Sequence, residues 1–190
     1  MTDYLTLVNQ RHPISPSFRD TIELVEVAGV DSVYRVEKKT AEAFYALKKG
    51  LQEKGVIIGA DSGYRSVRHQ EKLMADFIAA YGEEYALKTV AKPGTSEHHT
   101  GLAMDIIPMV DGAWVNENDD LLKQPEVFRI IHEALPDYGF ILRYPKGKEA
   151  VTGYSYEPWH IRYIDDIAIA KEIFRRGITL EEYLERTQSD

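Results

Sequence analysis

Apolar and polar positions run along the chain in two rhythms. In "TIELVEVAG" they alternate, with one break at Leu24–Val25, which predicts a strand from Ile22 to Val27. "VIIGADSGYRS" predicts a short buried strand from Val56 to Ala60 with a turn after it. Leu102 to Ile107, "FILRYP" and "WHIRYI" read as three more strands. The other rhythm is helical. In "TAEAFYALKKGLQEKG", Phe44, Leu47 and Leu51 share a face, Thr40 is placed to cap and Gly55 to stop the helix. A second helix follows Ser66 as N-cap, carries Leu73, Phe77 and Tyr81 as its core stripe and ends at Gly82. "PEVFRIIHEALPDYG" opens with Pro125 in its first turn, "DIAIAKEIFRRG" is a fourth helix, and Thr179 and Glu182 fit a capping box for a short last one. Residues 1–20 read as an extended N-terminal segment, and 108–124 as a polar loop or lid. Helices and strands mix without strict alternation. The prediction is α+β, a single domain over 1–190 with a small antiparallel-rich central sheet flanked by helices.

Composition narrows the chemistry. With 190 residues, 44% hydrophobic and 28% charged, the chain fits one soluble domain with a real core. A net charge of −8 argues against nucleic-acid binding through phosphates. The absence of cysteine excludes disulfides, thiolate metal ligands and cysteine nucleophiles, so a zinc site must draw on His, Asp or Glu. No apolar run is long enough to span a bilayer, and "MTDYLTLVNQRH" lacks a basic stretch followed by an apolar one. A cytoplasmic location is the expectation.

The stretch "GTSEHHTGLAMDI" sets two adjacent histidines, a glycine and a lone aspartate in an apolar run. His98 and Asp105 are seven apart. On one helix that is a rise of roughly 10 Å, too far for ligands of one ion at bond lengths of about 2 Å. On one strand the two side chains would face opposite sides. A turn at Gly101 brings them together, after which Ala103 and Asp105 share one strand face and Leu102, Met104 and Ile106 the other. This suits a two-ligand half-site, with His99 as rival to His98 and a purely structural pair as the plain alternative. A third ligand is sought among His12, His69, His132 and His160. His160 stands apart because Glu157 lies three residues before it, with Pro158 between marking a strand start or an edge. A carboxylate beside a metal site is what hydrolysis needs, to take a proton from water and hand it to a leaving amine. Arg65, between a strand end and a helix start, is suited to a developing oxyanion or a substrate carboxylate, and Gln70 lies one turn further on.

These residues resemble a known family. "SEHHTGLAMD" matches the S-x-H-x-x-G-x-A-x-D signature of the zinc D,D-peptidases, "EPWH" their E-x-W-H signature, and "GYRSVRHQ" their Y-R-S-x-x-x-Q segment. "LVNQRHPI" and "YGFILRYP" are similar too, so the likeness runs from about residue 6 to 165 and is strongest to the VanXY type among the VanY, VanX and VanXY enzymes. The resemblance implies one Zn2+ per chain on His98, Asp105 and His160, Glu157 as general base then acid, and Arg65 at the oxyanion. It implies Ser96, Gln70, Tyr144 and, more weakly, Ser155 at the substrate's C-terminal end, and Trp159 as packing behind His160. The implied substrate is the terminal D-Ala-D-Ala amide of a peptidoglycan stem peptide or the free dipeptide, a reaction tied in this family to antibiotic resistance. L,D-carboxypeptidase action on tetrapeptide stems is an alternative, and 108–124 is the candidate substrate-selecting loop. Two further readings belong to other classes. Two histidines and a carboxylate also make the facial triad of non-haem iron oxygenases, against which Glu157 speaks. A non-catalytic metal-containing binding module would need neither Glu157 nor Arg65.

Overall fold

A computed structural model describes residues 2–187. After a 3-10 turn at Pro16–Thr21 come strands β1 (Leu24–Ala28) and β2 (Val33–Glu37), helix α1 (Lys38–Glu53), strand β3 (Ile58–Ser62) and helices α2 (Val67–Tyr81) and α3 (Glu83–Thr89). A 3-10 turn at Glu97–Thr100 leads into β4 (Ala103–Val110), β5 (Ala113–Trp114), α4 (Asn118–Leu121) and α5 (Pro125–Ala134). Strand β6 (Phe140–Leu142), α6 (Glu149–Thr152), β7 (His160–Tyr163), α7 (Ile167–Arg176) and α8 (Leu180–Thr187) complete the order. β1 and β2 form a hairpin. The main sheet runs β3-β4-β7-β6, with β5 folded onto the far end of β4, and every strand pairing in it is antiparallel. This is the expected α+β domain with a small antiparallel sheet between helices.

The core forms where the two rhythms meet. Phe44, Leu47 and Leu51 of α1 are fully buried in one cluster with Ile58, Met104, Ile106 and Ile161 of the sheet and Phe128 and Ile131 of α5. Each such side chain contributes about 1.5–3 kcal/mol by leaving water. A second cluster joins Ile141 to α7 and α8 through Ile173 and Leu180. Leu102, Met104 and Ile106 are buried as the alternation predicts.

Several elements depart from the sequence pattern. β1 starts at Leu24 rather than Ile22, and its partner β2 was not predicted, because five residues interrupted by Arg35 carry little periodic signal. Helix α1 starts at Lys38. Its cap is Glu37, whose carboxylate accepts from the Thr40 backbone N at 3.0 Å, so Thr40 lies inside the helix. The buried positions of α2 are Gln70 and Met74, while Tyr81 is 64% exposed. α2 packs chiefly on α3, a helix the pattern did not reveal, through Leu73, Phe77, Ala86 and Val90 in a satellite cluster. The segment 108–124 is no plain loop, since it holds the end of β4, β5 and α4. Of the two readings of Pro158 the strand start holds: it lies just before β7, a central strand, where its missing N–H costs nothing. The Ser66 and Gly82 caps of α2 stand as predicted. So does the capping box of α8: Glu182 N donates to Thr179 Oγ1 at 3.2 Å and Thr179 N to Glu182 Oε2 at 2.8 Å.

Gly101 makes the turn that the site requires. It ends the Glu97–Thr100 turn in the left-handed region at φ 68°, and its carbonyl accepts from Glu37 N at 2.8 Å. A Cβ there would lie 3.0 Å from Leu24 Cδ2 and 3.1 Å from Glu37 N. The left-handed conformation alone costs an L-residue about 1–2 kcal/mol. Gly101→Ala is therefore expected to lower Tm by about 3–8 °C in a thermal melt, and an unchanged Tm would contradict the close packing described.

Candidate active site and metal centre

Three elements bring the site together. Asp105 sits in β4, flanked in register by Ser62 of β3 and by His160, the first residue of β7. The β3–β4 register shifts between Ala60 and Ser62, so Asp61 is the bulged residue, and it lines the cleft. His98 comes from the 3-10 turn that Gly101 closes.

The donor atoms converge on Asp105. Its Oδ2 lies 3.3 Å from His98 Nε2 and its Oδ1 2.9 Å from His160 Nδ1. The two imidazoles stand nearly perpendicular, with centroids 4.9 Å apart. One donor atom from each of His98, Asp105 and His160 lies within 4.8 Å of the other two. His98 turns its other nitrogen, Nδ1, to the Gly63 carbonyl at 2.8 Å, which as an acceptor demands the proton there and leaves Nε2 as the free base. Burial acts to raise the Asp105 carboxyl, but His98 and His160 outweigh it and hold it well below the usual carboxylate range. Burial likewise acts to lower His160, but hydrogen bonds to Asp105 and Glu97 prevail and hold it up to about 9. Two imidazoles and one carboxylate with donor atoms this close fit a zinc ion that keeps one position open.

Glu157 and Arg65 face the same cleft, of about 290 Å³. Glu157 Oε2 lies 3.9 Å from His160 Nδ1, and its side chain keeps 30% exposure at the mouth. Burial pushes its carboxyl up to about 7, with Asp105 adding to the rise and His160 and Arg65 opposing it. That places its affinity for a proton where a group that both takes and gives one works best near neutral pH. The loop carrying Glu157 is pinned by His132, whose Nε2 lies 2.9 Å from the Pro158 carbonyl. His132 thus turns to this loop and not to the donor set.

Arg65 is held from three sides. Its Nη1 donates to Gln70 Oε1 at 2.9 Å and its Nη2 to Ser62 Oγ at 3.4 Å. Its carbonyl meets His99 Nδ1 at 2.6 Å, while His99 Nε2 accepts from Gly94 N at 3.1 Å. Both adjacent histidines are therefore buried, but they serve different things: His98 joins the donor set and His99 fixes the loop that presents Arg65. Burial lowers the Arg65 pKa from its ordinary value, and Asp105 and Glu157 oppose that fall.

Among the other expected residues, Ser96, Gln70 and Tyr144 line the cleft. Gln70 spends both ends of its amide within the protein, since Nε2 donates to the Ala91 carbonyl at 2.8 Å. Tyr144 stacks on His160 with centroids 4.7 Å apart. Ser155 is exposed and is not among the residues that line the cleft. Ala103 is buried opposite Arg162 in the β4–β7 register. Trp159 packs against the core, as expected, and also forms part of the cleft wall. His12 pairs locally with Asn9 and stands apart from the cleft. Sequence reasoning did not single out Asp61, Tyr154 or the buried Glu97, all of which line the cleft.

Comparison with known proteins gives a consistent picture. A family model described as "VanY: D-alanyl-D-alanine carboxypeptidase" matches residues 33–166. The chain is 32% identical over 185 residues to the bifunctional D-Ala-D-Ala dipeptidase and D-Ala-D-Ala carboxypeptidase VanXYC of Enterococcus gallinarum, covering 94% of this chain and 92% of that one. It is 35% identical to a D-alanyl-D-alanine carboxypeptidase of Enterococcus faecalis, covering 95% of this chain but 65% of that longer protein. Among solved structures, a D,D-pentapeptidase VanY variant from a VanB-type resistance cassette, in complex with Zn(II), superposes with a TM-score of 0.77 at 35% identity over 95% of this chain and 98% of that one. VanYB in complex with D-alanine-D-alanine gives 0.79 at 34% over 96% and 97%. The LD-carboxypeptidase LdcB gives 0.78 at 35% over 94% and 84%.

Two substitutions separate the roles of the cleft histidines and Asp105. Asp105→Ala is expected to abolish stoichiometric zinc in a dialysed, folded protein, whereas His99→Gln is expected to retain it. Elemental analysis of both decides, and full zinc content in Asp105→Ala would remove that residue from the donor set.

Proposed function

Because the chain belongs to the VanY family of D-alanyl-D-alanine carboxypeptidases, we propose that its cleft hydrolyses the terminal D-Ala-D-Ala amide of peptidoglycan stem peptides, and the free dipeptide as well. The enzyme is a zinc carboxypeptidase of this type. The observation that carries the site is the meeting of His98, Asp105 and His160 with Glu157 at the mouth of one cleft.

His98 Nε2, the Asp105 carboxylate and His160 Nδ1 would hold the ion. Zinc, when bound, polarises the scissile carbonyl and acidifies an attacking water. Glu157 takes the proton of that water and returns it to the departing amine, a double task suited to a carboxyl held near 7. Arg65, steadied by Gln70, Ser62 and the hold of His99 on its carbonyl, supplies fixed positive charge toward the oxygen that becomes negative. Ser96, Tyr144 and Gln70 are suited to the substrate's C-terminal end, with Gln70 acting mainly through Arg65. Ser155, on the exposed side, is the weakest member of that group. The wall formed by Asn118 and Leu121 of α4 brings part of 108–124 to the cleft, in support of a substrate-selecting role for this segment.

The equal likeness to LdcB supports a second reading, L,D-carboxypeptidase action on tetrapeptide stems. Released D-alanine, measured with free D-Ala-D-Ala, a pentapeptide precursor and a tetrapeptide, separates the two. Release from the first two supports D,D-cleavage, and release from the tetrapeptide alone would replace it with L,D-cleavage. Among the described residues no helix is long and apolar enough to cross a membrane. Work on precursors in the cytoplasm is part of the same proposal, and cell fractionation tests it.

Loss of one charge-stabilising donor typically costs on the order of 3 kcal/mol, about a hundredfold or more in rate. Glu157→Ala and Arg65→Ala are accordingly expected to cut kcat by at least that factor, with unchanged circular dichroism and retained zinc. Wild-type turnover by Glu157→Ala would defeat its role as the proton carrier.

A further inference from the structure

Behind the cleft lies a buried ionic cluster that the reaction does not use directly. The side chains of Glu97, Arg143 and Arg162 are all fully buried. Glu97 Oε1 accepts from Arg143 Nε at 2.6 Å and from Arg162 Nη1 at 2.7 Å. The rest of the Arg143 fork is gripped by Glu181 of α8, at 2.8 and 2.7 Å. Asn9 Nδ2 donates to Glu181 Oε1 at 3.1 Å. Arg162 Nη2 donates to the carbonyls of Tyr4 and Thr6, at 3.0 and 2.8 Å. The two arginines balance the two glutamates, so the cluster is neutral as a whole.

A cluster of this kind is a weak way to stabilise a fold, because well-packed apolar side chains of similar volume do as well or better. Its geometry points elsewhere. Glu97 Oε2 faces His160 Nε2 at 3.4 Å, and among the described residues this is the one hydrogen-bond partner of that oxygen. The opposite ring nitrogen, Nδ1, is the one turned to Asp105. A carboxylate held by two arginines accepts but does not donate, so a cation that takes the place of the Nδ1 proton leaves the ring with its Nε2–H turned to Glu97.

We infer that Glu97 is a positioning residue that fixes the tautomer and ring orientation of His160 for zinc, and that Arg143 and Arg162 hold Glu97 aimed at that ring. This rests on the three-ligand reading proposed above. A carboxylate behind a metal-binding imidazole is commonly worth ten- to a hundredfold in metal affinity.

The test compares Glu97→Gln with Glu181→Gln. The second variant removes a charge from the same cluster but leaves the acceptor behind His160 in place. Zinc dissociation constants are measured by competition with a chromogenic chelator, beside thermal melts. In addition, nitrogen-15 imidazole NMR of the zinc-loaded wild-type protein reports which nitrogen of His160 carries hydrogen. The expected results are zinc binding ten- to a hundredfold weaker in Glu97→Gln, a change of less than about threefold in Glu181→Gln despite a lower Tm, and a proton on His160 Nε2. Wild-type zinc affinity in folded Glu97→Gln, an equal loss in both variants, or coordination of His160 through Nε2 would overturn the inference. If Glu97→Gln does not fold, the wild-type NMR result decides alone. Wild-type protein whose His160 ring stays uncoordinated at saturating zinc would refute the three-ligand reading itself, and this inference with it.

Discussion

Everything at the cleft depends on one cross-strand pair. Asp105 and His160 face each other in the β4–β7 register, and the contact between Oδ1 and Nδ1 is the result. Side chains on a strand alternate, so a slip of one residue would send the carboxylate into the core and an apolar neighbour into the cleft. The register is protected by what flanks it. Met104 and Ile106 are fully buried on the opposite face of β4, and Ile161 is buried next to His160 on β7. The hydrophobic pattern of two strands thus does double duty, since it packs the core and also holds two of the three donors to a common centre.

Much of this was legible in the chain. The seven-residue spacing of His98 and Asp105 demands a turn, and Gly101 makes it with a positive φ. The helix caps at Ser66 and Thr179 were readable because capping depends on residues within a few positions of each other. The third donor was not derivable from spacing, because His160 reaches Asp105 only through strand pairing across 55 positions. Motif likeness supplied it instead. β2 and α3 escaped for a related reason, since each is short and takes its place from the partner it packs on.

The buried cluster was the largest omission. Its signal was present, an arginine inside each of two apolar strand segments, "FILRYP" and "WHIRYI". A buried arginine demands a buried acid, but nothing local says which. Glu97 reads as a solvated residue between Ser96 and His98, and only the folded chain shows it without exposure. The adjacent histidines posed the same difficulty. Both proved to be buried, and their division of labour follows from which carbonyl each ring meets, Gly63 for His98 and Arg65 for His99.

The ion cluster also bears on the order of events during biosynthesis. Its hydrogen bonds join positions 158 and 172 residues apart, from the first turns of the chain to α8. Contacts of such separation close late, after the entropy of the intervening loops has been overcome. A ribosome-bound nascent chain that has not yet released residue 181 lacks the clamp on Arg143. The two ends of the chain therefore lock the wall behind His160 only once the last helix has been made.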